Sequence, residues 1–327
     1  MTELALLSDI ATILDAFWRG SLGTSSAFFS GTLVRAIPLI IIGVGVSLAF
    51  RAGVFNIGGE GQLALGAIAA TMVGLFFPAI SVVSVVVAMT AAACAGAAWA
   101  GIAAFLRARF GVLEVISTLM LNFVAANLVS YLVRGHLQEP THVYPQSELI
   151  AATARLPRLA ETTRLHLGIF IALAVAFAAW WVLGRTAAGF KLRAVGASPT
   201  ASLVTGRVNV GMVSAMALVA SGALAGLAGG IEVSGVTYAL YESISPGYGF
   251  SAIAVAILGG LHPLRVIGAA LLFAVLETGA LGMQRDAGVP AVMANVLEAL
   301  VILVVVAASG RVQFKTLWQR AAGAKPT

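Results

Sequence analysis

The chain has 327 residues, of which 60% are hydrophobic and only 10% are charged, and its mean hydropathy is +1.00. A soluble domain carries roughly 25% charged residues, so these numbers exclude a water-soluble globular protein. The net charge of +6 does not indicate a nucleic-acid-binding protein, because the basic residues stand in short loops between apolar runs, as in proteins oriented in a membrane. The composition therefore predicts an all-α fold, a polytopic transmembrane helical bundle.

Residues 1–20 differ from the rest of the chain. Apolar residues recur at helical spacing from Leu6 to Phe17, while Asp9 and Asp15 interrupt the apolar run and no basic region precedes it. This pattern excludes a secretory signal and favours an amphipathic N-terminal helix on the membrane surface.

About nine membrane segments follow from the remaining apolar runs, since a crossing helix needs roughly 20 largely apolar residues. One of them, residues 250–262, is short and stands between the SPGYG sequence at 245–249 and His262-Pro263. Short segments bounded by Gly and Pro often build the binding region of a transporter. The other predicted spans are 32–50, 56–77, 79–105, 112–134, 166–184, 210–231, 264–283 and 292–309.

Lys and Arg in the loops predict the sidedness. The loop 185–209 and the tail 310–327 each carry four basic residues and no acid, so we expect both to be cytoplasmic. Both placements agree only if 250–262 crosses the membrane as well, which gives nine segments with the N-terminus outside and the C-terminus inside. The loop 135–165 becomes external although it contains three arginines, so this loop is an exception to the rule that basic loops are cytoplasmic.

Gly222, Gly226 and Gly230 form two overlapping GxxxG spacings on one face of the span 210–231. Glycines at this spacing let helix backbones approach closely. The pattern fits tight packing inside the bundle or an interface with another subunit.

The loop 185–209 contains a complete signature for a short helix. Ser198 suits the N-cap, Pro199 the first helical position and Gly206 the position after the C-terminus. A two-turn helix is marginal in water by itself. It therefore rests either on lipid headgroups or on a soluble partner that supplies energy.

Polar residues at the head of the second span form a second candidate site. Asn56, Glu60 and Gln62 stand among three glycines in the sequence NIGGEGQ at 56–62. A charge near membrane depth normally faces water, a partner or a cavity. Glu60 could also lie at the interface and simply be solvated.

Two further acids, Glu277 and Glu298, lie within the last two predicted spans without an intramembrane Lys or Arg. They either line an aqueous path or are protonated and hold helices together. Their candidate hydrogen-bond partners on the spans are Asn122, Asn127 and Asn295.

Enzymatic signatures are absent from the sequence. It contains no GxxxxGK[ST] phosphate loop, no GxSxG and no HExxH, and its four histidines make no metal-like spacing. We therefore predict no catalytic residues, no metal and no cofactor, and the chain cannot bind and hydrolyse ATP through a phosphate loop.

Four sequence blocks carry a family resemblance. FRAGVFNIGGEGQ at 50–62, EVISTLMLN at 114–122, LRAVGASP at 192–199 and SPGYGF at 245–250 together with LGG at 258–260 resemble permease subunits of ABC importers. The class is that of branched-chain amino acid and ribose permeases, and the nucleoside and simple-sugar subgroup is the most similar. The resemblance covers about 30–310. Such permeases usually have a further hydrophobic helix before the first block, which residues 1–20 are too polar to supply.

The resemblance implies one transmembrane permease domain over 1–327, with 185–209 as the cytoplasmic coupling loop and 310–327 as a basic cytoplasmic tail. It implies a second, related permease, a cytoplasmic ABC ATPase and an extracytoplasmic solute-binding lipoprotein as partners, in a bacterial inner membrane. The coupling-helix residues are Arg193, Ser198, Pro199, Thr200, Ala201, Ser202, Leu203, Val204 and Gly206.

The expected solute is a small neutral molecule, a nucleoside or a simple sugar. Amides and aromatic rings suit hydroxyl groups and flat bases, and no Lys or Arg lies deep in a span to receive an anion. A branched-chain amino acid permease and a proton-coupled secondary transporter are the alternatives. The hypothetical path comprises Asn56, Glu60, Gln62, Asn122, Asn127, Tyr248, Phe250, Glu277, Asn295 and Glu298.

Overall fold

The computed structural model describes residues 2–77, 80–204, 206, 208–290 and six positions between 292 and 303. Two compact units emerge, one formed by Phe28–Ala274 and the other by Met1–Ala27 with Val275–Thr327. Seven helices among the described residues are long and apolar enough to cross a membrane. The predicted bundle of transmembrane helices is confirmed.

The smaller unit contains α1 (Thr2–Ser21) and the end of α11 (Pro263–Ala287). The helix predicted at 1–20 is therefore present. Ala16 is buried, whereas Leu14 and Trp18 are exposed, and Arg19 pairs with Asp15 one turn earlier at 2.8 Å. Its contact with the membrane surface stays a prediction.

In the larger unit, the first helices follow the predicted spans closely. A π-helical turn, Ala27–Thr32, leads into α2. Helix α3 ends at Phe76, just before Phe77-Pro78, where the sequence predicted the break. The helices are α2 (Leu33–Arg51), α3 (Gly59–Phe76), α4 (Ser81–Phe110), α5 (Glu114–Val133) and α6 (Gly168–Arg185).

The loop after α6 contains two helices, α7 (Ala187–Ala197) and α8 (Pro199–Val204), of which the sequence predicted only the second. Thr186 caps α7, since its hydroxyl oxygen accepts the Gly189 N–H at 3.1 Å. α9 (Val210–Glu232) follows and runs into a π-helical turn, Val233–Thr237.

The centre of the larger unit is the packing of α9 against α3 and α4. A Cβ atom on Gly66 would meet the Gly226 carbonyl oxygen at 2.1 Å, and one on Gly96 would meet the Gly222 carbonyl oxygen at 2.3 Å. Only glycine permits this approach. The glycine face of α9 therefore packs inside the bundle, and the alternative of a subunit interface at these glycines is wrong.

The short segment predicted at 250–262 is α10 (Tyr248–Leu258). Eleven helical residues extend about 16 Å, far less than the roughly 30 Å of hydrocarbon. α10 packs on α2 and α3, so this short helix lies against protein, as irregular or short segments must at membrane depth. Most of the ninth predicted span, 292–309, falls outside the described residues.

Candidate substrate path and coupling surface

The first turns of α3 and α10 meet at Glu60. The carboxylate oxygen Oε2 accepts the backbone N–H of Gly249 at 2.7 Å, and Gly249 is the second residue of α10. A Cβ atom on Gly249 would meet the Glu60 nitrogen at 2.2 Å, so only glycine fits here. The carboxylate thus lies at the N-termini of two helices, where the helix dipoles stabilise negative charge.

Asn56 and Gln62 form a buried pair of amides just before α3 and in its first turn. Each side-chain NH2 donates to the other's oxygen, at 2.8 and 3.0 Å. The Asn56 amide also accepts the Gly58 N–H at 2.9 Å and donates to the Ser221 hydroxyl at 2.9 Å. Both side chains are only 1% exposed, and they fix the loop that precedes α3.

Asn122 joins α5 to the same region. Its side-chain oxygen accepts the Gly61 N–H at 2.9 Å, and its NH2 donates to the Ile57 carbonyl at 2.9 Å. Both hydrogen bonds satisfy backbone groups at the start of α3, which holds α3 and α5 in register beside Glu60.

Glu60 and Asn122 line a cavity of about 190 Å³. Its other polar lining residues come from the irregular chain before α10, and the Ser245 hydroxyl there accepts the N–H groups of Gly247 and Tyr248 at 3.1 and 3.0 Å. No lysine or arginine is among its described lining residues. These are Glu60, Ala64, Asn122, Ala126, Val129, Glu242, Ser243, Ile244 and Ser245.

Glu242 at this cavity is already engaged. Its carboxylate accepts from the Ser130 hydroxyl at 2.6 Å and pairs with Arg134 at 2.7 Å. Hydrogen bonding from Arg134, and then from Ser130, lowers the pKa of Glu242. The cavity therefore presents carboxylate, amide and hydroxyl groups, which suit a neutral hydrogen-bonding solute and repel an anion.

Tyr248, Phe250 and Asn127 were also predicted as path residues, and none of them lines this cavity. Tyr248 is buried at the start of α10, while Phe250 is exposed. Asn127 is exposed on α5 and donates to the Phe123 carbonyl at 2.8 Å. Glu277 belongs to the smaller unit, and Asn295 and Glu298 lie outside the described residues.

The sequence reasoning missed Glu242, Ser243 and Ser245 as lining residues. Ser245 stands in the quoted SPGYGF block, and all three precede a helix too short to span the membrane. Irregular chain next to such a helix was the signal that could have identified them.

The predicted capped helix is present as α8. The Ser198 hydroxyl oxygen accepts the Ala201 N–H at 3.2 Å, and Gly206 adopts φ +64°, a conformation that favours glycine. Leu203 and Val204 at the end of α8 are 61% and 84% exposed. Two adjacent exposed apolar side chains on a short helix form a surface suited to a partner.

The other predicted coupling residues lie on α7 and on the first turn of α8. Arg193 on α7 donates from its guanidinium to the Leu183 carbonyl at the end of α6, and Ser202 is buried, whereas Pro199, Thr200 and Ala201 are exposed. α8 therefore directly follows α7, and α7 is hydrogen-bonded to the end of α6.

A family model described as the permease component of branched-chain amino acid transport systems matches residues 28–306. The chain belongs to this family. Its members are transport permeases, so this permease is a transport subunit and not an enzyme.

Three relatives share most of the chain. A glucose ABC transporter permease of Haloferax volcanii is 40% identical over 290 residues, which cover 86% of this chain and 76% of the relative. A guanosine ABC transporter permease of Bacillus subtilis is 39% identical over 305 residues, 90% and 85% of the two chains. A second guanosine permease of that bacterium is 30% identical over 260 residues, 77% and 81% of the two chains. No solved structure matches this permease.

Proposed function

We propose that this permease moves a nucleoside or a simple sugar across the bacterial inner membrane as one subunit of an ABC importer. The observation that carries the proposal is the cavity beside Glu60 and Asn122, which offers carboxylate, amide and hydroxyl groups and, among its described lining residues, no cation. Such groups bind sugar hydroxyls and base edges by hydrogen bonds. Relatives named for glucose and for guanosine support the same solute class.

In this proposal the path runs along the cavity, with Glu60 and Asn122 facing the solute together with Ser243 and Ser245. Asn56 and Gln62 act from behind by fixing the start of α3, since both are buried and bonded to each other. Contact between the solute and Glu60 can then change the position of α10, because Glu60 is joined to α10 by the hydrogen bond from Gly249.

The energy comes from separate subunits. A cytoplasmic ABC ATPase docks on Leu203 and Val204 of α8, and an extracytoplasmic binding lipoprotein delivers the solute. The second permease is a related but different chain. Two guanosine permeases of one bacterium, both relatives of this chain at different identities, support such a pair.

Competition of uptake tests the solute. Cells that express this permease with its partner subunits take up labelled guanosine or uridine, and unlabelled nucleosides, glucose, ribose and leucine are added in excess. We expect nucleosides or sugars to compete and leucine not to compete. Competition by leucine alone would make this a branched-chain amino acid permease.

A protonophore separates the ATP-driven importer from a proton-coupled transporter. Uptake should persist when the proton gradient is collapsed and cellular ATP is kept high. Uptake that stops under these conditions would contradict the ABC mechanism.

A further inference from the structure

A second cavity, of about 420 Å³, lies at the end of the bundle that carries the basic loop 185–209. Its walls are the ends of α2 and α6, the first half of α7, and the first three turns of α9. It shares no lining residue with the cavity beside Glu60, and none of its lining residues belongs to α8. We call it the α7–α9 groove.

The walls of the α7–α9 groove are apolar. Leu48, Val182, Leu192 and Val213 supply branched side chains, and Met212 and Met216 on α9 are 59% and 64% exposed. α9 is long and apolar enough to cross a membrane, so side chains exposed on it, such as these methionines, are in a position to meet lipid. Methionine side chains adapt to flexible apolar ligands.

The polar residues of the groove are Lys191 on α7 and Asn209, which directly precedes α9. Lys191 is exposed, and no acidic group among the described residues pairs with it. Asn209 uses its side-chain oxygen to cap α9, accepting the Met212 N–H at 2.9 Å. None of the described lining residues is acidic.

The groove therefore combines an apolar channel open to lipid with an unpaired cation at its polar end. We infer that it binds one anionic phospholipid, with an acyl chain along Met212 and Met216 and the phosphate at Lys191. Basic pockets between membrane helices on the cytoplasmic side bind anionic headgroups, and a lysine near the surface adds about a fivefold preference for them. A zwitterionic lipid fills the same channel but gains less from Lys191.

A bound phospholipid would contact α6, α7 and α9 at once and so hold α7 against the two spans. Since α7 carries α8, the lipid would also fix the position of Leu203 and Val204. The binding itself does not rest on the proposed transport function.

Native mass spectrometry of the purified, delipidated permease complex tests the inference. Phosphatidylglycerol and phosphatidylcholine with the same acyl chains are titrated separately. We expect one phosphatidylglycerol to bind at least fivefold more tightly than phosphatidylcholine. Lys191→Gln should remove this preference and leave phosphatidylcholine binding unchanged.

Two further variants sharpen the test. Arg109→Gln removes an exposed cation that does not line the groove and should leave both lipids bound as in the wild type. Ala220→Trp places a ring in the groove from an exposed position and should weaken both lipids. Equal affinity of the wild type for the two lipids, or an unchanged preference in Lys191→Gln, would overturn the inference.

A third result would also overturn it. If Met216→Cys forms a disulfide with a cysteine on another subunit in the intact complex, protein covers the groove instead of lipid. Lipid binding is measured without transport or ATP hydrolysis, so its failure leaves the proposed function untouched, and the uptake competition can fail without affecting it.

Discussion

Glu60 is the residue on which the candidate path depends. It is held by Gly249 at the start of α10 and faces the cavity with Asn122. A carboxylate in this position can serve the solute, the positioning of α10, or both, and the two roles separate by substitution.

Glu60→Gln keeps a side-chain oxygen that can accept the Gly249 N–H but removes the charge. We expect wild-type amounts of assembled complex and transport reduced at least tenfold, because the solute loses a charge-assisted hydrogen bond worth about 1.5–3 kcal/mol. Uptake and co-purification of subunits measure the two effects. Gln62→Glu is not a suitable control, because Gln62 is buried. The matched control is Glu161→Gln, which makes the same change at an exposed loop position.

The two alternatives for Glu60 give opposite results. Native transport by Glu60→Gln would remove this residue from the path. A complex that no longer assembles would show that the carboxylate mainly positions α10.

His166 makes a second prediction at the residue scale. Its side chain is fully buried, and Nδ1 accepts the Gly168 N–H at 3.2 Å. Burial, followed by the charges of Arg158 and Arg164, lowers the pKa of His166 to about 4. In the unfolded chain the histidine has its ordinary pKa of about 6.5. Between pH 4 and pH 6.5 the folded state therefore binds fewer protons than the unfolded state.

Stability should therefore fall as the pH drops from about 6.5 to about 4, by up to roughly 3 kcal/mol from this group. His166→Asn retains a side-chain acceptor for Gly168 but cannot be protonated, so its melting temperature should depend less steeply on pH over this window. His142→Asn, at an exposed histidine, should match the wild-type slope. Identical slopes for His166→Asn and the wild type would contradict this account.

At the scale of elements, the boundaries of α8 follow from local sequence chemistry. Ser198 and Gly206 bound the helix as expected from their types, and the structure leaves Leu203 and Val204 exposed at its end. α7 is different, because its start depends on the Thr186 cap and its buried face on α6 and α9.

Leu203→Asp should abolish solute-stimulated ATPase activity of the assembled complex, because it places a charge in the proposed motor contact. Ala201→Arg should act likewise. Ser198→Ala should have a milder effect, since an N-cap contributes on the order of 1 kcal/mol. Leu159→Asp, an exposed leucine in the loop between α5 and α6, is the matched control and should retain activity.

Normal coupling in Leu203→Asp would show that α8 is not where the ATPase docks. Loss of activity in Leu159→Asp as well would point to a general effect of charge on folding. Membrane insertion of each variant is checked by its yield in the membrane fraction.

At the scale of the whole molecule, sidedness is the open prediction. Ser202 and Ser147 are natural positions for reporter cysteines by sequence, but both are buried in the structure, so neither would react with a bulky reagent. Thr200 and Thr162 are exposed in the same two loops and replace them.

In a Cys94→Ser background, an impermeant thiol reagent on intact cells should label Thr162→Cys and not Thr200→Cys. Permeabilised cells should label both, which controls for reactivity. The reverse pattern in intact cells would invert the topology and move α8 away from a cytoplasmic ATPase.

The sequence by itself determined the seven spans that the structure describes, the break at Phe77-Pro78, the short α10 and the capped α8. These follow from apolar run length, proline and cap chemistry, which act over a few residues. The tertiary structure alone decided that Glu60 meets Gly249, 189 residues away, and that Asn56 and Gln62 bond to each other instead of facing a cavity. It also decided the α7–α9 groove. Such contacts depend on which helix faces which, and a pattern that is apolar on every side of a helix does not encode that choice.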